Sequence, residues 1–161
     1  MKLFFKLESY FYALYMFLIA VVVGALVACG AFSAPSIFRA ASIVEGLDIS
    51  ILQSGILMTS IFVKLNVLLN IVAIFIIIYE ILTLRINRNV FAPILGFISV
   101  ILIFLFTMYY TPYMLESQLL GEDGIANSAF DNMHNQSVLV FKSLMATLSI
   151  LFIYRILKRQ A

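Results

Sequence analysis

Four long stretches of this chain carry almost no charge, and that pattern decides what it can fold into. No charged side chain occurs from Ser9 to Phe38, and Lys64 is the only one between Ile49 and Tyr79. The stretch from Asn89 to Leu115 is again uncharged, and the run that begins at Asn132 and ends at Arg155 is broken only by Lys142. A helix needs about 20 apolar residues to cross a bilayer, whereas a barrel strand needs about 9–11 and alternates apolar with polar. These runs are too long and too uniform for strands. The sequence therefore predicts an all-α integral membrane protein: a four-helix bundle with spans at about 10–32, 53–82, 90–113 and 132–155, in one domain over 1–161.

Composition agrees. Hydrophobic residues make up 64% of the chain and charged residues 11%, against about 45–50% and ~25% in soluble domains. A water-soluble core of this size could not hide so much apolar surface, so lipid must be part of the solvent. The net charge of +2 is small and its positives are scattered over helix ends, which argues against a nucleic-acid partner. One cysteine excludes an internal disulfide. With no tryptophan, the eight tyrosines and fifteen phenylalanines must supply the interfacial belt.

Pro35 should end or bend the first helix, and Pro112 the third. Asn87-Arg88-Asn89 reads as a short turn that makes helices two and three antiparallel neighbours, and Gly121-Glu122-Asp123-Gly124 as a polar turn in the third connection. Placing both termini inside puts Lys2, Lys6, Arg85, Arg88, Arg155, Lys158 and Arg159 on the inner face and only Arg39 on the outer. That distribution predicts a bacterial-type inner membrane with both termini cytoplasmic. Between the first two spans, Ile37, Phe38, Ile43, Val44, Leu47 and Ile51 recur at helix-like spacing around Arg39, Glu45 and Asp48. This suits a short amphipathic helix on the outer membrane face; an apolar-anchored loop is the alternative. Leu26-Val27-Ala28-Cys29 resembles a lipoprotein cleavage site. The apolar stretch is nevertheless longer than the roughly 7–15 residues of a signal region, which favours a first span.

Ionisable groups inside a membrane mark functional sites by default. Lys64 and Lys142 both lie roughly 14 Å below the outer surface at ~1.5 Å per residue. They either flank a polar, outward-facing cavity that binds an anion or extend upward to lipid phosphate and loop acids. Asn66 and Asn70 share a helix face, where amides usually bond a neighbouring helix. His134, the single histidine, opens the fourth helix with Ser137 one turn on. A candidate polar pocket comprises Lys64, Asn66, Tyr109, Tyr110, His134, Ser137 and Lys142. His134, Met133 and Cys29 could offer a soft donor set for Cu(I), against a bland reading of methionine as filler. Asp131 either pairs with His134 or caps the fourth helix. No metalloprotease helix, phosphate loop or nucleophile elbow is present, so no enzyme and no cofactor are expected.

Several of these pieces fall in a familiar order. Gly24 and Gly30 precede Ala34-Pro35-Ser36-Ile37-Phe38; Ile61-Phe62 and Asn66 follow; Tyr109-Tyr110-Thr111-Pro112 ends helix three; His134 and Ser137 open helix four. The chain thereby resembles the transmembrane protein 205-like family, in bacteria a domain of unknown function. The resemblance implies four spans and marks Ala34, Pro35, Phe38 and Pro112 as its motif. Members often carry a small polar residue one turn after the histidine-serine pair, where this chain has Val140-Phe141-Lys142. A distant likeness to copper-resistance D-type membrane proteins is one of fold only.

The expected role is that of a small, non-enzymatic multi-pass protein acting through the lipid bilayer, a membrane-protein partner or a second copy of itself. Gly24, Ala28 and Ala31 form a small-residue stripe that would allow close helix approach. The alternative is handling of a small solute or of copper in the outward pocket.

Overall fold

The computed structural model of the protein describes residues 2–86 and 90–160, with side chains for 8–84 and 90–158. The Asn87–Asn89 turn lies outside the described residues, as do the side chains of Lys2, Lys6, Arg85 and Arg159. The described residues are predominantly helical, without strands. α1 (Lys2–Val27) passes through a π-helical segment, Ala28–Ser33, into α2 (Ala34–Phe38). A single turn, α3 (Ala40–Ile43), follows, then α4 (Ile51–Ile86). α5 (Phe91–Phe104) passes through a second π-helical segment, Leu105–Tyr110, into α6 (Thr111–Leu119). A short α7 (Glu122–Ile125) leads to α8 (Ser128–Gln160). Four stretches are long and apolar enough to cross a membrane: Glu8–Phe38, Ile51–Leu84, Phe91–Leu119 and Ser128–Lys158. In none is more than 44% of the most apolar window buried inside the protein, so most of the apolar surface needs lipid around it.

The prolines do not end their helices. Each stands second in the helix that resumes directly after a π segment, Pro35 after Ala28–Ser33 and Pro112 after Leu105–Tyr110. Proline lacks the N–H of an α-turn and crowds the carbonyl four residues back. A wider π turn shifts the bonding register and lets the helix continue. The Thr111 hydroxyl adds a 2.9 Å bond to the Phe106 carbonyl in that turn. The connection after Phe38 is helical only through Ile43. Glu45-Gly46 then turns, with Gly46 at a φ of 77°, and 47–50 run without helix. The apolar positions from Leu47 onward therefore do not share one helix face with Ile37 and Ile43.

Two starts are capped. Ser50 and Gln53 form a reciprocal box: the Gln53 N–H donates to Ser50 Oγ at 3.1 Å, and the Ser50 N–H to Gln53 Oε1 at 2.9 Å. Asn127 Oδ1 accepts the Phe130 N–H at 2.9 Å, so Asn127 caps α8 and Asp131 sits inside its first turn.

The first span packs against the second and fourth, and the third against the same two. Side-chain contacts fix the directions. Glu80, near the end of the second span, meets Tyr15 near the start of the first and Arg155 near the end of the fourth. The four spans thus alternate, and the beginning of the first lies beside the end of the fourth, where the Tyr12 hydroxyl donates to the Arg155 carbonyl at 2.9 Å. Between this terminal end and the far end lies a solid core. Ile19, Val22, Leu26, Leu69, Val72, Ile76, Ile103, Leu144, Leu148 and Leu151 are fully buried within it. The small-residue stripe of the first span points away from it: Gly24, Ala28 and Ala31 are exposed, and a Cβ on Gly24 would meet nothing within 4 Å.

Candidate functional site

At the terminal end the core closes on a polar clasp. Glu80 is fully buried and accepts a hydrogen bond from the Tyr15 hydroxyl and an ion-paired bond from the Arg155 guanidinium. The guanidinium also lies over two rings, 5.3 Å from the Tyr79 centroid and 5.9 Å from that of Tyr15, and those rings stack on each other at 3.9 Å. The third span contributes an absence of side chain at Gly96. One carboxylate thereby engages all four spans. The sequence carries Glu80 just past its second apolar run but inside the expected span 53–82, and an intramembrane carboxylate is the feature that points to this cluster. Arg155, assigned from sequence to a charged helix end, belongs inside.

At the far end the spans part around a cavity of 840 Å³. Its floor is a triangle of phenylalanines, one from each of three spans. Phe62 and Phe106 lie 5.4 Å apart in an edge-to-face pair, and Phe141 stands 5.6 Å from each. Gly30, in the first π segment, fills the fourth side: a Cβ there would stand 2.9 Å from Phe141 Cε1. Above the floor the walls are mainly apolar, including Ala31, Met58 and Met114. Gln118 closes the seam between the second and third spans with a 2.9 Å bond to Thr59 Oγ1. The mouth carries Arg39, Asp131 and His134, whose ring stacks on Phe130 at 6.2 Å.

The cavity gathers part of the sequence-derived pocket. Tyr110, His134, Ser137 and Lys142 line it, as do Ala34, Pro35 and Phe38 of the motif. Lys64 does not line it. That lysine is exposed in the stripe of Val63, Val67 and Ile71, which faces the surroundings. Asn66 is buried instead between helices, its amide donating to Thr111 Oγ1 at 3.0 Å while its Oδ1 has no partner. Asn70 accepts from the Thr107 hydroxyl at 3.0 Å, extending a polar seam along the second π segment. Tyr109 is exposed, its hydroxyl 4.0 Å from Met133 Sδ. Pro112 takes its place in the resumed helix. The expected pocket was polar, whereas the observed one is apolar with polar groups at its mouth. Its walls are set by small and aromatic side chains, which periodicity does not separate from ordinary core.

Of the soft donor set expected from sequence, His134 lines the cavity, whereas Cys29 and Met133 do not. Cys29 is buried in the core, and Met133 faces Tyr109. Among the described residues no group of three histidine, cysteine, aspartate or glutamate side chains stands ready for a metal ion.

Four apolar transverse helices, a solid mid-section and a cavity at one end define a multi-pass helical membrane protein. The profile described as Domain of unknown function (DUF4149) matches residues 17–123, and the chain belongs to that family. The match covers three of the four spans and stops before the wall that carries His134 and Lys142. Comparison with curated proteins and with solved structures finds no match.

Proposed function

We propose that this protein is a non-enzymatic membrane protein that holds an apolar, membrane-soluble molecule in the cavity at its far end. One observation carries the reading: an 840 Å³ space between all four spans, floored by three phenylalanines. Ligand cavities run about 300–1,000 Å³ and are lined mostly by apolar and aromatic side chains with a few polar groups that orient the ligand. The core beneath argues against a pore, because fully buried aliphatic side chains fill the section between cavity and clasp.

In this reading the chain is a four-helix bundle of a bacterial-type inner membrane with both termini cytoplasmic. Support comes from the seven lysines and arginines that the sequence assigns to the terminal end, against Arg39 at the other. The cavity then opens toward the outer leaflet. The finer likeness to the transmembrane protein 205-like family belongs to the same reading and supplies no ligand.

Binding of an environment-sensitive apolar dye to the detergent-purified protein tests it. Native protein should bind the dye saturably. Ala31→Phe, which adds a ring at an exposed position on the cavity wall, should weaken binding about tenfold, or ~1.4 kcal/mol. Equal binding by both proteins rules the cavity out as the site.

A further inference from the structure

The two intramembrane lysines occupy different surroundings. Lys64 sits on the outward stripe of the second span, where a long side chain reaches the interface through lipid. Lys142 is exposed too, but it adjoins Phe141 of the floor and lines the cavity about two turns below His134, with Arg39, also exposed, at the mouth. Asp131 is the one carboxylate among the lining residues, so the fixed charges there sum to a positive site. The ion pair seen among the described residues is Glu80–Arg155, at the opposite end. Lys142 and Arg39 line the cavity, and among the described residues neither forms an ion pair. A cation lining an otherwise apolar membrane cavity is costly unless an anion meets it.

Resting on the cavity reading above, we infer that the occupant is a single-chain amphiphile with an oxyanion head. The chain lies on the phenylalanine floor and along the aliphatic walls. The head takes a charge-assisted hydrogen bond from Lys142, stronger than one between neutral groups, and Arg39 adds positive charge at the mouth. The volume suits one drug-sized molecule and therefore one acyl chain, in preference to the two chains of a phospholipid.

Native mass spectrometry of the detergent-purified full chain, with palmitate, the alcohol of the same chain length and the amine of the same chain length as probes, tests this directly. Palmitate should bind at least about tenfold more tightly than the alcohol, the size expected of a hydrogen bond to a charged group, and the amine most weakly. Lys142→Met should bring palmitate down to the level of the alcohol. Lys142→Arg should keep the preference, and Lys64→Met, which removes the lysine outside the cavity, should leave it unchanged. Palmitate and alcohol binding equally to the native protein overturns the oxyanion head and leaves the apolar cavity standing. No saturable binding of any probe overturns both. Loss of the preference in Lys64→Met to the same degree as in Lys142→Met removes the case for the cavity lysine.

Discussion

Gly96 makes the space that Glu80 occupies. A Cβ on residue 96 would stand 2.7 Å from Cγ of Glu80 and 3.2 Å from its Cδ. The third span therefore approaches the second closely enough to seal a carboxylate from lipid, and only a residue without a side chain permits it. Gly96→Ala should push Glu80 off its partners and cost roughly 1–3 kcal/mol, the usual range for overpacking a dense core. A thermal-unfolding series in detergent reads this as a lower midpoint. An unchanged midpoint would mean that the clasp tolerates the displacement.

The clasp itself makes an asymmetric prediction. Glu80 and Arg155 are paired in a site where the carboxylate is fully buried. Removing one member of such a pair leaves an uncompensated charge and costs about 3–5 kcal/mol, whereas replacing both by apolar residues is often neutral. Glu80→Leu and Arg155→Met should each destabilise the protein strongly, and the double variant should recover most of the loss. The cycle is measured by chemical or thermal unfolding in one detergent. Additive losses in the double variant would show that the two residues do not act as a pair.

The spans were legible because an uncharged run of this length has one stable form in lipid, and the third span illustrates it from Asn89 to Leu115. What the runs hide is which side each residue faces. Lys64 and Lys142 look alike in sequence, at matching depths, and separate only once helix rotation is known. Pro35 and Pro112 read as ends or bends of their helices, and the π turns that absorb them have no compositional mark. Glu80 was open to discovery as a carboxylate within an expected span, but its partners Tyr15 and Arg155 lie 65 and 75 residues away in the chain. The phenylalanine floor resembles ordinary core, since an aromatic side chain at helical spacing carries no sign of the empty space above it.

The polar seam between the second and third spans gives a test of hydrogen bonding in lipid. Asn66 is buried, with its amide committed to Thr111 and its carbonyl oxygen without a partner. Thr111→Val takes away the acceptor and should cost about 1–3 kcal/mol, because a buried donor is then unsatisfied. Adding Asn66→Leu should restore part of that stability by removing the orphaned group. Unfolding midpoints of the two variants and the native chain decide the matter. A double variant less stable than Thr111→Val would show that the amide has a further partner or role.

Gly30 and Phe141 link backbone geometry to cavity shape. With its Cβ 2.9 Å from the ring edge of Phe141, Gly30→Ala must move that ring, and the space available to it is the cavity above the floor. The far end of an aromatic ring can swing at modest cost, so folding should survive while the cavity shrinks. Dye binding should fall by roughly three- to tenfold, corresponding to about 0.7–1.4 kcal/mol. Phe141→Leu in the Gly30→Ala background shortens the displaced side chain and should return most of the affinity. The same dye titration reads all three proteins, with the unfolding midpoint as a control. Loss of binding without rescue by Phe141→Leu would place the effect in the π segment of the first span and not in the floor.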